Sequence, residues 1–171
     1  MLAPLGMVLL LGFGTNRMGI GAAFLAFWTF AALMGLSLAG IFLVFTGASI
    51  ARVFFISAAT FAAMSLYGYT TGSDLSRFGA FLFMGLIGIV VASLVNIFVG
   101  SNALQFAISV IGVIVFTGLT AYDTKRIKQV YLASDPVNMT TKKAILGALT
   151  LYLDFINLFV MLLQLTGQRR D

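Results

Sequence analysis

Residues Ala144 to Thr166 read AILGALTLYLDFINLFVMLLQLT, with one acid and no base in an otherwise largely apolar run. A helix of about 20 mostly apolar residues crosses a hydrocarbon core about 30 Å thick, so this stretch is long enough to span. Lys142 and Lys143 close it on one side, Arg169 and Arg170 on the other. Working outward, residues 103–124 end at Lys125, Arg126 and Lys128, and residues 78–99 lie between Arg77 and the turn Gly100-Ser101-Asn102. Residues 53–71 follow Arg52, and residues 20–46 open at Ile20-Gly21 and close at Thr46-Gly47. Residues 1–15 are apolar but reach only about 22 Å as a helix. They have no basic start and no small-residue cleavage site, so they read as the second part of a helix rather than as a signal peptide. The expectation is an all-α membrane protein, a polytopic bundle of six spans with the first clipped. Residues 1–171 would form a single transmembrane helical domain.

Composition agrees. Apolar residues make up 61% of the 171, charged residues only 9%, and the mean hydropathy is +1.09. Soluble domains are about a quarter charged, so a water-facing surface could not be covered and the partner is the lipid bilayer. Cysteine and histidine are both absent. That excludes disulfides, thiolate or imidazole metal sites and any nucleophile activated by histidine. The net charge of +5 is spread along the ends of the apolar runs, not gathered into one patch, which argues against nucleic acid. Arg17, Arg77, Lys125, Arg126, Lys128, Lys142 and Lys143 fall on one side, Arg52, Arg169 and Arg170 on the other. Basic loops stay cytoplasmic, so the 125–143 loop faces the cytoplasm and both chain ends lie outside.

Polar residues on the spans are not scattered. In the last span Lys143, Gly147, Thr150, Asp154, Asn157, Met161 and Gln164 recur at steps of four and three and share one face. Such a stripe must look into protein or a water-filled cavity, because lipid cannot satisfy it. Phe155, Phe159 and Leu162 should then tend outward. The preceding span repeats the pattern through Gln105, Ser109, Gly112, Thr120 and Asp123. In the span before that, Gly85, Gly88, Ala92 and Asn96 read as a packing face of small residues.

Two of the five acids, Asp123 and Asp154, therefore lie inside the membrane. Asp154 is about 16 Å along its helix from Lys143, near mid-bilayer, whereas Asp123 counts closer to the cytoplasmic edge. An ionised aspartate at the centre of a spanning helix costs about 2.5–3.5 kcal/mol, and two close carboxyls do not readily ionise together. Despite the counted depths, inward stripes on consecutive helices predict that the two carboxyls meet within hydrogen-bond or one-water distance. The pair could respond to pH or bind a hard cation such as calcium through oxygen. Arg17 is the natural counter-charge, able to latch the helices near Asp123. Thr150, Asn157 and Asn96 are candidates to line an ion path.

The segment Phe116 to Ile127, FTGLTAYDTKRI, and residues 148–167, ALTLYLDFINLFVMLLQLTG, closely resemble the Bax inhibitor-1 family, as do MGLSLAGIF (34–42) and FAAMSLYGYTT (61–71). The resemblance covers essentially the whole chain. It implies a seven-helix fold with a central last helix, in the bacterial inner membrane, and a pH-sensitive calcium leak rather than an enzyme. Asp123 and Asp154 would be the sensing pair, Arg17 would be the arginine closing the second helix, and the family's first helix would have no counterpart here. No cofactor is implied; calcium is the transported ion. Two other functions compete. A non-conducting scaffold would bind a membrane protease or another membrane partner and use the pair structurally. Intramembrane aspartyl proteolysis requires a Gly-x-Gly-Asp on the second helix, where this chain has Tyr152-Leu153-Asp154, so that match fails.

Overall fold

A computed structural model describes residues 19–131 and 136–170. Among the described residues six helices follow one another: α1 (Ile20–Leu38), α2 (Ile41–Val44), α3 (Gly47–Thr70), α4 (Ser76–Val99), α5 (Asn102–Val130) and α6 (Val137–Thr166). Among the described residues the only extended pairing is one antiparallel bridge between Phe45 and Arg169. With α1 and α2 taken together as Ile20–Val44, five segments among the described residues are long and apolar enough to cross a membrane. The expected first span, residues 1–15, and Arg17 lie outside the described residues.

Local chemistry sets the ends of these helices more finely than charge does. Between α1 and α2 the bonds tighten to three-residue spacing, Phe42 N–H to Ala39 O at 3.2 Å and Leu43 N–H to Gly40 O at 3.1 Å. The span tightens there without leaving helical geometry, with Ala39 and Gly40 both in the right-handed helical region. The Thr46 hydroxyl accepts from Ser49 N–H at 3.3 Å and starts α3. That places Arg52 inside the first turns of the helix, not before it. Gly100, at φ 64°, ends α4 in the left-handed conformation that favours glycine, and the Ser101 hydroxyl caps α5. Apolar counting ended the fourth complete span at 124 and began the fifth at 144. The helices instead run to Val130 and from Val137, because a helix does not stop where the hydrocarbon does.

Packing centres on α5 and α6. Helix α5 lies against α3, α4 and α6, and α6 against α1, α3 and α5. Burying apolar surface gives no drive between helices in lipid, so close approach of small residues takes its place. A side chain at Gly68 on α3 would overlap the Ala121 carbonyl of α5, and one at Gly79 on α4 would overlap the Tyr122 ring. Leu82 fits the notch at Gly118, and Gly85 faces Val115. The packing face of α4 is thus Gly79, Leu82, Gly85 and Ile89, and the expected Gly88 is exposed with open space around it. Phe81, Met84 and Phe98 point outward from α4, as lipid-facing side chains should.

The outward placement expected of Phe155, Phe159 and Leu162 does not hold. Phe159 is 8% exposed and packs with Phe45, Val53 and Leu163. Phe155 meets Phe54 and Phe61 of α3 edge-on, at centroid distances of 5.6 Å each. Leu162 packs beside them. Helix α6 is covered by protein on two sides: its polar stripe meets α5 while its aromatic side meets α3. The α3–α5 crossing gives a direct test. Gly68→Ala must displace backbone and should cost about 1–3 kcal/mol as overpacking, read as a lower midpoint of thermal unfolding in detergent. Gly88→Ala, into open space, should leave the midpoint within error or raise it.

Candidate functional site

The antiparallel register of α5 and α6 decides which polar residues meet. Lys143 Nζ donates to Val130 O at 2.9 Å, Ile127 rests on Gly147, and Met161 rests on Gly112. From Val130 inward to Asp123 is about 10 Å, and from Lys143 inward to Asp154 about 16 Å. The remaining offset of about 6 Å along the axis is small enough for two side chains to close. The mismatch in counted depth came from taking Lys128 and Lys143 as level, when Val130 and Lys143 are. The carboxyls of Asp123 and Asp154 consequently lie within hydrogen-bonding reach of each other.

Asp154 is 6% exposed, and its Oδ2 has no hydrogen-bond donor around it. Ionised carboxylates only accept. A contact between two of them therefore needs a proton on one, which then donates to the other. Beside the pair α4, α5 and α6 line an open cavity of about 680 Å³, bordered among others by Tyr122, Asp123, Arg126, Thr150, Asp154 and Asn157 and, on α4, by the exposed Phe83 and Met84. A second cavity of about 450 Å³ shares Asp123, Arg126 and Thr150 and continues to Tyr131 and Lys143 at the basic end of the bundle. Thr150 and Asn157 are half-buried and satisfy their own donors within α6, Thr150 Oγ1 to Leu146 O at 3.0 Å and Asn157 Nδ2 to Leu153 O at 2.8 Å.

Asn96 stands apart. It sits at the opposite end of the bundle, where its Nδ2 donates to Gln105 Oε1 at 3.1 Å and its Oδ1 accepts from Ser101 N–H at 3.0 Å. Arg126, which sequence reading passed over as loop charge, is the cation that acts on Asp123 and borders both cavities. The signal was present in the three-residue spacing of Asp123 and Arg126, which puts them on one helix face. Calcium takes six to eight oxygens. Among the described residues no group of three or more His, Cys, Asp or Glu could hold a metal. The pair offers a passing cation two carboxyls, with Thr150, Asn157, backbone and water to complete its shell.

A third acid separates bundle chemistry from loop chemistry. In the α3–α4 loop, Ser76 hydrogen bonds to Asp74, through its side chain and through its backbone N–H at 2.9 Å, hold that carboxyl below the ordinary 3.8, with Lys125 adding to the effect. A depressed folded value means stabilisation that is present above 3.8 and lost only as pH falls through the lower folded value. Asp74 therefore stays ionised across about pH 5–8 and cannot be the origin of a response there.

Helices that cross a membrane and bring two aspartates together in a cavity at their seam define a polytopic α-helical membrane protein with an intramembrane carboxyl pair. Residues 1–171 match the family described as Inhibitor of apoptosis-promoting Bax1, and the chain belongs to this Bax inhibitor-1 family. It is 53% identical over 171 residues to the inner membrane protein YbhL of Escherichia coli strain K12, covering 99% of this chain and 73% of that protein. It is 50% identical over 171 residues to the uncharacterized protein RP147 of Rickettsia prowazekii, covering 100% and 72%. Together with the five apolar helices, this makes it a multi-pass integral inner-membrane protein.

A proton shared between the two carboxyls would have a consequence for stability. In Asp154→Asn the amide donates permanently to Asp123, replacing the proton. The midpoint of thermal unfolding at pH 7.5 should match or exceed that of the native protein and vary less with pH. Asp154→Ala leaves Asp123 without its partner and should cost about 1–3 kcal/mol. Equal losses in both variants would show that the carboxyls do not share a proton.

Proposed function

We propose that this protein is a pH-sensitive cation leak whose gate is the Asp123–Asp154 pair, with calcium as the ion carried. What carries the reading is the meeting of two carboxyls from consecutive spans in one cavity, beside a second that shares Asp123 and extends toward the basic end of the bundle. That end is the cytoplasmic one under the positive-inside rule. A pair holding one proton carries a single negative charge. It ties α5 to α6 and attracts Arg126. Arg17, in the sequence reading, would add to the same latch. A second proton neutralises the pair and removes both the charge that Arg126 faces and the single-proton bridge. The closed arrangement thus depends on a charge that acid removes, and leak should rise as pH falls.

Calcium efflux from proteoliposomes across about pH 5–8 tests this, with a slope limited to about tenfold per pH unit for a one-proton switch. Asp123→Asn and Asp154→Asn should each flatten the response. Arg126→Ala, and Arg17→Ala if that arginine takes part, should raise leak at neutral pH. A native leak that ignores pH, or one whose pH response survives Asp123→Asn, rejects the pair as the gate. No leak at any pH leaves the pair a structural element of a scaffold for a membrane protease or other partner.

A further inference from the structure

The polar stripe of α6 has one apolar member between Asn157 and Gln164, and the structure gives it a particular seat. The Met161 side chain lies on Gly112 of α5 so closely that a Cβ there would come within 2.9 Å of its Cγ and 3.0 Å of its Sδ. Around it Ile108, Val115, Phe116 and Leu158 form one cluster, all at most 5% exposed. On the inner side of this seal, the lining of the larger cavity reaches no further outward than Leu86, Phe116 and Asn157. On the outer side, amides bridge three helices. Asn96 of α4 donates to Gln105 of α5 at 3.1 Å, and Gln105 Nε2 donates to Gln164 Oε1 of α6 at 2.7 Å. Ser109 also donates to Gln164 Oε1, at 3.3 Å. Asn157 and Gln164 are seven residues apart, about 10 Å along the helix, and Met161 fills the interval.

We infer that Met161 seated on Gly112 is an apolar gate, separating an inner vestibule that holds the aspartate pair from an outer belt of amides. The inference deepens the leak reading and supplies the barrier that the pair would control. A narrow apolar constriction stops ions by shedding water, and an unbranched thioether can leave its seat through rotamer changes that a branched side chain cannot make. Both helices at the seat also carry the pair. A change in how the carboxyls hold α5 to α6 acts directly on the gap that Met161 fills.

The chain contains no cysteine, so single-cysteine variants carry no background. Asn157→Cys, Met161→Cys and Gln164→Cys would each be reconstituted in vesicles and exposed to a membrane-impermeant thiol reagent from either face at neutral pH. Asn157→Cys should react from the basic face and Gln164→Cys from the opposite face. Met161→Cys should react from either face at least about tenfold more slowly than the faster of those two, as behind a dewetted constriction. Calcium efflux gives the second measurement: Met161→Ala should raise leak several-fold at neutral pH, and Met161→Leu should not. Labelling of Met161→Cys as fast as at either neighbour overturns the gate, and so does a leak unchanged by Met161→Ala. Labelling does not depend on conduction. A protein that leaks at no pH defeats the function proposed above while the labelling pattern still decides whether the barrier is there. A reactive Met161→Cys beside a normal pH-dependent leak defeats the gate alone.

Discussion

Hydrocarbon offers no hydrogen bonds, and that constraint orders this molecule. Each polar group on a spanning helix must find its partner in its own helix, in a neighbouring helix or in a cavity that admits water. Several hydroxyls solve the problem locally: Ser57, Thr120, Thr150 and Thr166 each bond the carbonyl four residues back. Carboxyls and long amides cannot be satisfied that way, and they collect on one seam. Asp123 meets Asp154 toward one end of it, and Gln105 meets Gln164 toward the other. The seam between α5 and α6 exists because two polar stripes had only each other to face.

Small residues make that seam possible and fix its register. Gly112 receives Met161 and Gly147 receives Ile127, and these two contacts on either side of the carboxyl pair leave no freedom to slide by a turn. The same device holds α5 to the rest of the bundle, through Gly68 against its backbone and Gly79 against Tyr122. At the basic end, Lys128 adds a polar tie. Its Nζ donates to Tyr69 O at 2.8 Å and lies 4.3 Å from the centroid of that ring. Lys125 reaches the Ser73 carbonyl beside it. These lysines complete the exposed carbonyls where α3 ends, so charges that orient the protein also clamp α5 to α3. At the other end the chain beyond α6 returns to the α2–α3 corner, with Thr46 N–H on Gln168 O at 3.0 Å and Gln168 N–H on the Ser49 hydroxyl at 2.9 Å. Helix α6 is therefore held at both ends, and any movement along the seam is confined to its middle.

Much of this was legible in the residues alone. Apolar length gave the five complete spans, and the steps of four and three gave the approach of Asp123 to Asp154 but only part of the inward face of α6, where Gly147 and Asp154 are buried and Gln164 is exposed. What escaped has physical causes. Helix ends were misjudged because charge marks the edge of the bilayer whereas caps such as Thr46 mark the edge of the helix. The depth of Asp123 was misjudged for the same reason, since α5 runs two residues past Lys128. Phe155 and Phe159 were assigned to lipid because hydrophobicity cannot distinguish a lipid-facing phenylalanine from one packed edge-on against another helix. Arg126 was read as loop charge, yet an arginine three residues from a half-buried aspartate on an unbroken helix shares its face and acts on it electrostatically. Asn96 lies at the end of the bundle opposite the pair, where its two hydrogen bonds tie it to Gln105 and Ser101.

A protein with no histidine has no side chain whose ordinary titration falls near neutrality. Exposed aspartates do not fill the gap, as Asp74 shows by keeping its charge throughout that range. Two carboxyls in contact, one of them buried, are a remaining way to build a proton-responsive element from the residues present, because one proton must be shared for the contact to exist at all. Such a pair is economical in position as well as chemistry. It lies on the two helices whose packing it would control, within a few turns of the side chain that fills the space between them. A histidine on a loop could sense pH, but it would still need a path to the seam. In the function proposed here the titrating groups are part of the seam.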